Sequence, residues 1–391
     1  LATGVSTHPH ELIRSELKPY WKVFASCRSS AELRAHPDYR RLEQAVQTVL
    51  TTADTGDFSR GHAPAKARYR VVAWNIERGK ELDGQLDVFR SHQYLSNSDV
   101  VLITEADAGM VRSGNRDVTR ELADALGFHY AFAPCYLSLV NGSGVERHME
   151  GENDLGLHGN AILSRYPIKN LKLVRLRNGI DKMRGNEKRL GSQTALIADI
   201  ECPNGTFQTA SIHLDAQSTQ RHRHDQMQQV LDQMNPTGPA IIGGDWNTST
   251  YNSSHAFHAI AGFWLRVFMG PDNVIRNHYL HPYRRFEREL FELLEKRGFG
   301  YGDCNLLGER TLSYSVDDAK TRQALGEWVP GWCFAFIRWS LRNHGGSCPV
   351  KLDWFASREL RCSEPAIIHD VREGRDVPLS DHDAIGVDIS L

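Results

Sequence analysis

The feature that most constrains this chain is a series of short apolar runs rich in Val, Ile and Thr. They are YRVVAW (69–74), SDVVLIT (98–104), HYAFA (129–133), NAILS (160–164), TALIADI (194–200), FQTASI (207–212), PAIIGG (239–244), VKLDWFA (350–356) and AIGVDI (384–389). Short runs with β-branched side chains, separated by loops, read as buried strands. Two helical patterns fall among them. One covers Gln220 to Met234. The other, 283–298, places Phe286, Leu290, Leu293 and Leu294 on one face and stops at Gly298. Strands mixed with helices, without strict alternation, predict an α/β chain with mixed sheets rather than a doubly wound parallel sheet.

The flanking regions differ in texture. Residues 10–50 read as helical, with Leu12, Ile13, Leu17, Trp21 and Val23 set among charges, and 51–67 is polar with Gly, Pro and Ser, as in a linker or loop. The expected organisation is an N-terminal helical extension and linker over 1–67 and a main domain over 68–391. An aromatic-rich insertion at about 251–348 holds Trp264, Trp328, Trp332 and Trp339. It is either a helical subdomain with its own small core or a wall of a substrate site.

Composition excludes some classes. Hydrophobic residues are 40% and charged residues 24%, enough for a sizeable core, and no apolar run reaches the ~20 residues that span a bilayer. The net charge of −2 lacks the basic bias of a protein gripping nucleic acid by its backbone, although a local basic patch stays open. Seven scattered cysteines without a CxxC pair fit reduced thiols better than a disulfide framework. With no visible signal peptide, the expectation tilts toward the cytoplasm, although the chain does not begin with Met.

The informative pattern is what stands at the strand ends. Asn75 follows YRVVAW, Glu105 follows VVLIT, His213 follows QTASI, and Asp245 and Asn247 follow AIIGG. Asp353 lies within VKLDWFA, and Asp381 and His382 lie just before AIGVDI. Strand-end loops are where α/β folds hold ligands, because the scaffold there is rigid. Hard divalent cations such as Mg²⁺ prefer carboxylate and carbonyl oxygens; Glu105 and Asp381 suit them, with Asn75 or Glu77 in support. His382 with Asp353 would form a carboxylate–imidazole pair, a cation suited to a phosphoryl oxygen gathering charge. Asp245 and Asn247 could hold and deprotonate a water. The two histidines of HRH (222–224) diverge on a helix, which argues against zinc there. Each element alone has an ordinary structural reading; the set and its order carry the inference.

In AWNIERG (73–79), VVLITEAD (100–107), GNAILSRYPI (159–168), ASIHLD (210–215), IIGGDWNTS (241–249), KLDWFAS (351–357) and LSDHDAIGVDI (379–389) the chain resembles the endonuclease/exonuclease/phosphatase superfamily. The resemblance covers about 69–250 and 350–391. It implies a four-layer sandwich, two mixed β-sheets packed face to face with helices outside, and makes 68–391 a catalytic domain. By position it implies Glu105 as the principal metal ligand, Asn75 beside it, Glu77 at an acidic metal-site position, and Asp381 completing the site around Mg²⁺ or Mn²⁺. His213 would contact the phosphate, Asp245 would activate water, Asn247 would bind phosphate and orient Asp245, and His382 with Asp353 would stabilise the transition state.

The substrate is less constrained, because one fold hosts many functions. The expected activity is a metal-dependent phosphodiesterase or nuclease; a phosphomonoesterase acting on a sugar or inositol phosphate, or a silent binding protein on the same scaffold, are the alternatives. GDWNTST lacks the Tyr-Arg pair of the inositol polyphosphate 5-phosphatases. Asn160 and the basic DKMRGNEKRLG segment, with Lys182, Arg184, Lys188 and Arg189, are candidate substrate contacts; a solvated hairpin or loop is the competing reading of that segment. Partners are therefore a phosphate ester and possibly nucleic acid.

Overall fold

Side-chain alternation along the strands decides the layers. The computed structural model describes residues 9–61, 63–216, 218–250, 262, 264–266, 268–315 and 338–391. The strands are β1 (Asp54–Asp57), β2 (Tyr69–Arg78), β3 (Val100–Ala108), β4 (His129–Ser138), β5 (Leu157–Ser164), β6 (Ile168–Arg175), β7 (Arg189–Gly191), β8 (Thr194–Cys202), β9 (Gly205–His213), β10 (Ala240–Asp245), β11 (Leu312–Ser315), β12 (Ser347–Val350), β13 (Asp353–Arg358), β14 (Arg361–Ile368) and β15 (Ala384–Ser390). One eight-stranded sheet runs β1-β4-β5-β3-β2-β15-β14, with β7 also on β4. A five-stranded sheet runs β13-β10-β9-β8-β6. Both are mixed: β2–β3 and β9–β10 are parallel, their other pairs antiparallel.

On β2, Tyr69, Val71 and Ala73 enter the core between the sheets with Leu102, Phe207, Ile241, Phe355 and Val387. Their neighbours Val72, Trp74 and Ile76 face the helices instead. On β10, Ile241 faces the gap and Ile242 faces a third cluster beneath the other helices. The observed fold is thus the predicted two-sheet sandwich with helices outside. Burying each Val, Leu, Ile or Phe contributes about 1.5–3 kcal/mol, which makes these three clusters the main stabilising term.

The outer helices follow their local signals. Helix α1 (Pro37–Thr51) starts on Pro at its first position and buries Tyr39, Leu42, Val46 and Val49 on one face. Helices α2 (Leu82–Ser91) and α3 (Val118–Leu126) cover the same sheet, and α3 is capped by Asp117 and closed by Gly127. Helix α4 (Gln220–Gln233) is capped by Thr219 and lies on the five-stranded sheet with α5 (Arg288–Lys296). The periodic pattern predicts that last helix from 283; Pro282–Arg284 forms a separate 3₁₀ turn and the α-helix begins at Arg288.

Two flanking regions do more than their composition suggests. Helical pieces from Pro9 to Ala35, with α1, share one continuous core with β2, β3 and β4. Within the segment read as a linker, β1 pairs antiparallel with β4, because an open sheet edge recruits any extended chain beside it. Of the insertion, 251–261, 263, 267 and 316–337, including Trp328 and Trp332, lie outside the described residues. Its described part forms a small core of Val274, Ile275, Tyr279, Leu312 and Leu341 with Val350 and Leu352. Among the described residues no helix is long and apolar enough to cross a membrane.

Close approach of the sheets depends on Gly243. A Cβ there would lie 2.6 Å from the Phe355 ring and 2.8 Å from Leu102 Cδ1. Gly244 has φ +135°, and a Cβ on it would lie 2.1 Å from the carbonyl oxygen of Ile212 on β9. The double glycine before Asp245 is therefore required by geometry. Gly244→Ala is expected to destabilise the fold by roughly 2–4 kcal/mol, from an unfavourable φ and a backbone clash, seen as a lower urea midpoint with an unchanged m-value.

Candidate active site

The alternation that builds the core also aims the strand-end residues. Asp245 continues the Ile241, Gly243 row and faces the gap between the sheets; Asn75 continues the Val71, Ala73 row from the opposite sheet. Register does the rest. Asp245 stands opposite His213 on one side and Asp353 on the other, because β9 runs parallel and β13 antiparallel to β10. β15 runs antiparallel to β2, so the Asp381–His382 turn reaches the same rim.

Glu105 arrives by another route. On a regular strand it would follow Val101 and Ile103 to the helix side. A register shift between Ile103 and Ala106 and a φ of +57° turn it toward Asn75. A second shift between Asn75 and Arg78, with Glu77 at φ +46° and Arg78 at +70°, places Glu77 at the rim. Left-handed conformations at non-glycine residues cost about 1–3 kcal/mol each, and here they gather on rim residues, with Asn247 at φ +49°.

The focus is the Asp245 carboxylate. Its Oδ2 accepts from Asn75 Nδ2 at 3.1 Å and lies 3.5 Å from His213 Nε2 and 3.7 Å from His382 Nε2. Its Oδ1 accepts from the Asn247 backbone N–H at 2.9 Å, while the Asn247 side chain donates to Leu214 O. The second Asn75 donor goes to Glu105 Oε1 at 3.2 Å. His382 Nδ1 pairs with Asp353 Oδ2 at 2.8 Å. Asn75, His213, Asp245, Asn247, Asp353 and His382 are buried, Glu77 and Glu105 are half-buried, and Asp381 is exposed at the lip.

Charges set the protonation states. Burial alone would lower the His382 imidazole, but Asp353, Asp245 and Asp381 outweigh it and hold it well above its usual value, so it carries a proton. Burial pushes the Asp245 carboxyl up, aided by Asp353 and opposed by His382 and His213. Burial also works against ionised Glu105, yet Arg78, His213, His158 and the Asn75 hydrogen bond keep it below the ordinary carboxylate range. Asp381 is raised by the protein crowding it and by the like charges of Glu77 and Glu105, against the pull of His382.

Several contributors have no marker in the sequence. Ser380 Oγ donates to Asn75 O at 2.6 Å and accepts the His382 N–H, tying the turn to β2. Trp74 Nε1 donates to His382 O. Asp383 is fully buried beneath that turn, held by Arg372 and His369. Thr311 Oγ1 accepts from the Leu352 and Asp353 amides, and Leu312 bridges to His382, so the insertion reaches the site. Arg78 lies 3.8 Å from Glu105 Oε2 and pairs with Glu146. Of the candidate substrate contacts, Asn160 is buried and donates to Thr194 O, while Lys182 is buried against Asp215. Lys188 donates to Cys27 O and Met183 O, Arg189 pairs with Glu187, and Arg184 is exposed beside Asp181. In HRH, the central Arg223 turns inward and pairs with Glu287.

The donor set fits a hard divalent cation. Glu77 and Glu105 raise Asp381 by like charge, a repulsion a cation would relieve, while Asn75 turns its Nδ2 to Glu105 and its Oδ1 to the Glu77 amide. The carboxylate and imidazole ligand atoms that lie within 4.8 Å of one another among the described residues are instead those of Asp245, Asp353 and His382. There, however, His382 Nδ1 is bound to Asp353, and a protonated imidazole has no lone pair to offer.

A two-sheet sandwich whose rim joins acids, amides and paired histidines is the architecture of a phosphoester-hydrolase class. The Endonuclease/Exonuclease/phosphatase family matches residues 72–346, more than half of the chain, and the protein belongs to that family. Members are typically metal-dependent phosphoester hydrolases. No curated protein matches the chain. Among solved structures, an endonuclease/exonuclease/phosphatase from Beutenbergia cavernae DSM 12333 is 15% identical with TM-score 0.48, covering 83% of this chain and 72% of that one. The human Nocturnin catalytic domain is 16% identical with TM-score 0.47, covering 86% and 97%. An AP endonuclease from Archaeoglobus fulgidus is 14% identical with TM-score 0.45, covering 82% and 98%. The family match, not these likenesses, carries the assignment.

Lys351 stands just behind the site. It is fully buried, its Nζ lies 4.8 Å from the centre of the Trp354 ring, and among the described residues no hydrogen-bond partner reaches it. Burial pulls it down to about 8, against the attraction of Asp353 and Glu309. A lysine so depressed binds fewer protons folded than unfolded, so stability rises from pH 8 to about 10.5 and is lowest below 8. Lys351→Met is expected to stabilise the protein at pH 7 by up to about 3 kcal/mol, a gain that disappears near pH 10.5; urea melts at both pH values measure it.

Proposed function

We propose that this chain is a divalent-metal-dependent phosphodiesterase that cuts a P–O bond by direct attack of water. The observation that carries the reading is the meeting of Asn75, His213 and His382 on one oxygen of Asp245, at a rim fed by both sheets. In this reading Asn75, Glu77, Glu105 and Asp381 hold Mg²⁺ or Mn²⁺, which when bound supplies Lewis-acid stabilisation of a phosphoryl oxygen.

The remaining chemistry belongs to side chains. Asp245 accepts the proton of the attacking water; its raised carboxyl makes it a better base than an exposed aspartate. Asn247 holds the other oxygen of that carboxylate through its backbone amide and so fixes the direction of attack. His382, kept protonated and oriented by Asp353, faces the charge that grows on the phosphoryl oxygens. His213 contacts the same phosphate from β9; its Nδ1 has no hydrogen-bond partner among the described residues. Arg78, the arginine beside Glu105, is already engaged by Glu146, which suits a singly charged diester better than a doubly charged monoester.

The test is hydrolysis of bis-p-nitrophenyl phosphate, p-nitrophenyl phosphate, DNA and RNA with Mg²⁺ or Mn²⁺. Turnover of a diester is expected to vanish with EDTA and to fall about 10²- to 10⁴-fold in both Asp245→Asn and His382→Ala, with circular dichroism unchanged. Full activity in both variants would overturn the reading, and preferential turnover of the monoester would replace it with a phosphomonoesterase.

A further inference from the structure

A half-open cavity of about 640 Å³ lies apart from the strand-end centre, between the N-terminal helical region and the 175–191 segment. None of the residues proposed for catalysis lines it. Its walls carry Arg34, Arg175, Arg177, Lys182 and Arg189, and the one acid among the lining residues is Asp181. That volume is the size of a small-molecule site.

Most surface cations are balanced by neighbours, so the pairing decides the matter. Lys182 is matched by Asp215 at 3.1 Å, and Arg189 by Glu187 at 3.4 Å. Asp181 accepts from the Ser30 amide and hydroxyl and from the Met183 amide, which anchors the loop to the helices. Arg34, Arg175 and Arg177 have no carboxylate partner among the described residues. Arg175 is the telling one. Its side chain is half-buried, and Nη1 donates to Leu50 O in the last turn of α1, leaving the rest of its five-donor fork. Gly191, at φ +109°, packs against the Cys135 carbonyl, 2.3 Å from where a Cβ would lie, and borders Arg175, whose Nη2 would be 3.2 Å from that Cβ. Enclosing a guanidinium without a counter-charge is unfavourable unless an anion fills the space.

We propose that this cavity is an anion-binding site for a multiply charged phosphate group, gripped by Arg34, Arg175 and Arg177. Planar guanidinium forks match phosphoryl oxygens bidentately, and three unmatched cations against one engaged acid call for more than a single carboxylate. The N-terminal helices supply Arg34 and the wall of Tyr39, Val46 and Leu50, which gives that region a binding role. Asp215, two residues beyond His213, ties the cavity loop to the catalytic strand through Lys182 and the Gly179 amide. The phosphate could be the far end of a substrate or a separate small phosphorylated molecule.

Calorimetry of the full chain with inorganic pyrophosphate in EDTA tests the site without relying on turnover. One binding event is expected. It should weaken at least tenfold in Arg34→Ala/Arg177→Ala, whose two exposed positions leave the core intact, and persist in His213→Ala. No binding in the native chain, equal affinity in the double variant, or loss in His213→Ala would overturn the proposal. A second arm separates the sources, using pyrophosphate inhibition of bis-p-nitrophenyl phosphate hydrolysis in excess Mn²⁺. If the inhibition that the double variant removes is a rise in KM, the anion is the far end of a substrate; if KM is untouched, it is a separate ligand. Absence of turnover would count against the catalytic reading and leave the calorimetric result standing.

Discussion

The Asn75 amide joins the two halves of this molecule where they matter chemically. It donates to Glu105 on its own sheet and to Asp245 on the other, so the rim is a hydrogen-bonded unit rather than two adjacent edges. That bridge exists because the sheets approach closely behind it, at Gly243 against Leu102. Ser211 Oγ adds a bond to Ile103 O across the same gap. Core packing and site geometry are therefore one constraint: whatever spaces the sheets also spaces Asn75 from Asp245.

Electrostatics divide the rim into two parts. On one side, Glu77, Glu105 and Asp381 repel one another, an acidic cluster suited to a hard cation. On the other, Asp353 and Asp245 hold a charge on His382 that burial would otherwise remove. The strain gathered at Glu77, Arg78, Glu105 and Asn247 is local, and the regular strands below these positions can offset it. A rigid base with a strained lip is how a β-scaffold delivers side chains in directions its pleat alone would forbid.

Much of this was legible in the chain. The strand runs, the helix at 220 and the order of the polar residues after the strands were all visible, because period-2 and period-3.6 patterns are local. Other features were not. β1 has no apolar pattern, since an edge strand is fixed by its partner. The Arg34, Arg175 and Arg177 grouping joins residues from either end of a long stretch of sequence. Ser380, Thr311 and Asp383 look like ordinary loop residues until the backbone they hold is seen.

By itself the sequence determined which faces are apolar and which chemical groups stand at the strand ends, because alternation fixes the side of a strand on which a residue projects. Tertiary structure alone decided that Asp245 lies between His213 and Asp353, because pairing register is a non-local choice. It alone turned Glu105 from the helix face toward Asn75, through a one-residue irregularity that no hydrophobic pattern records.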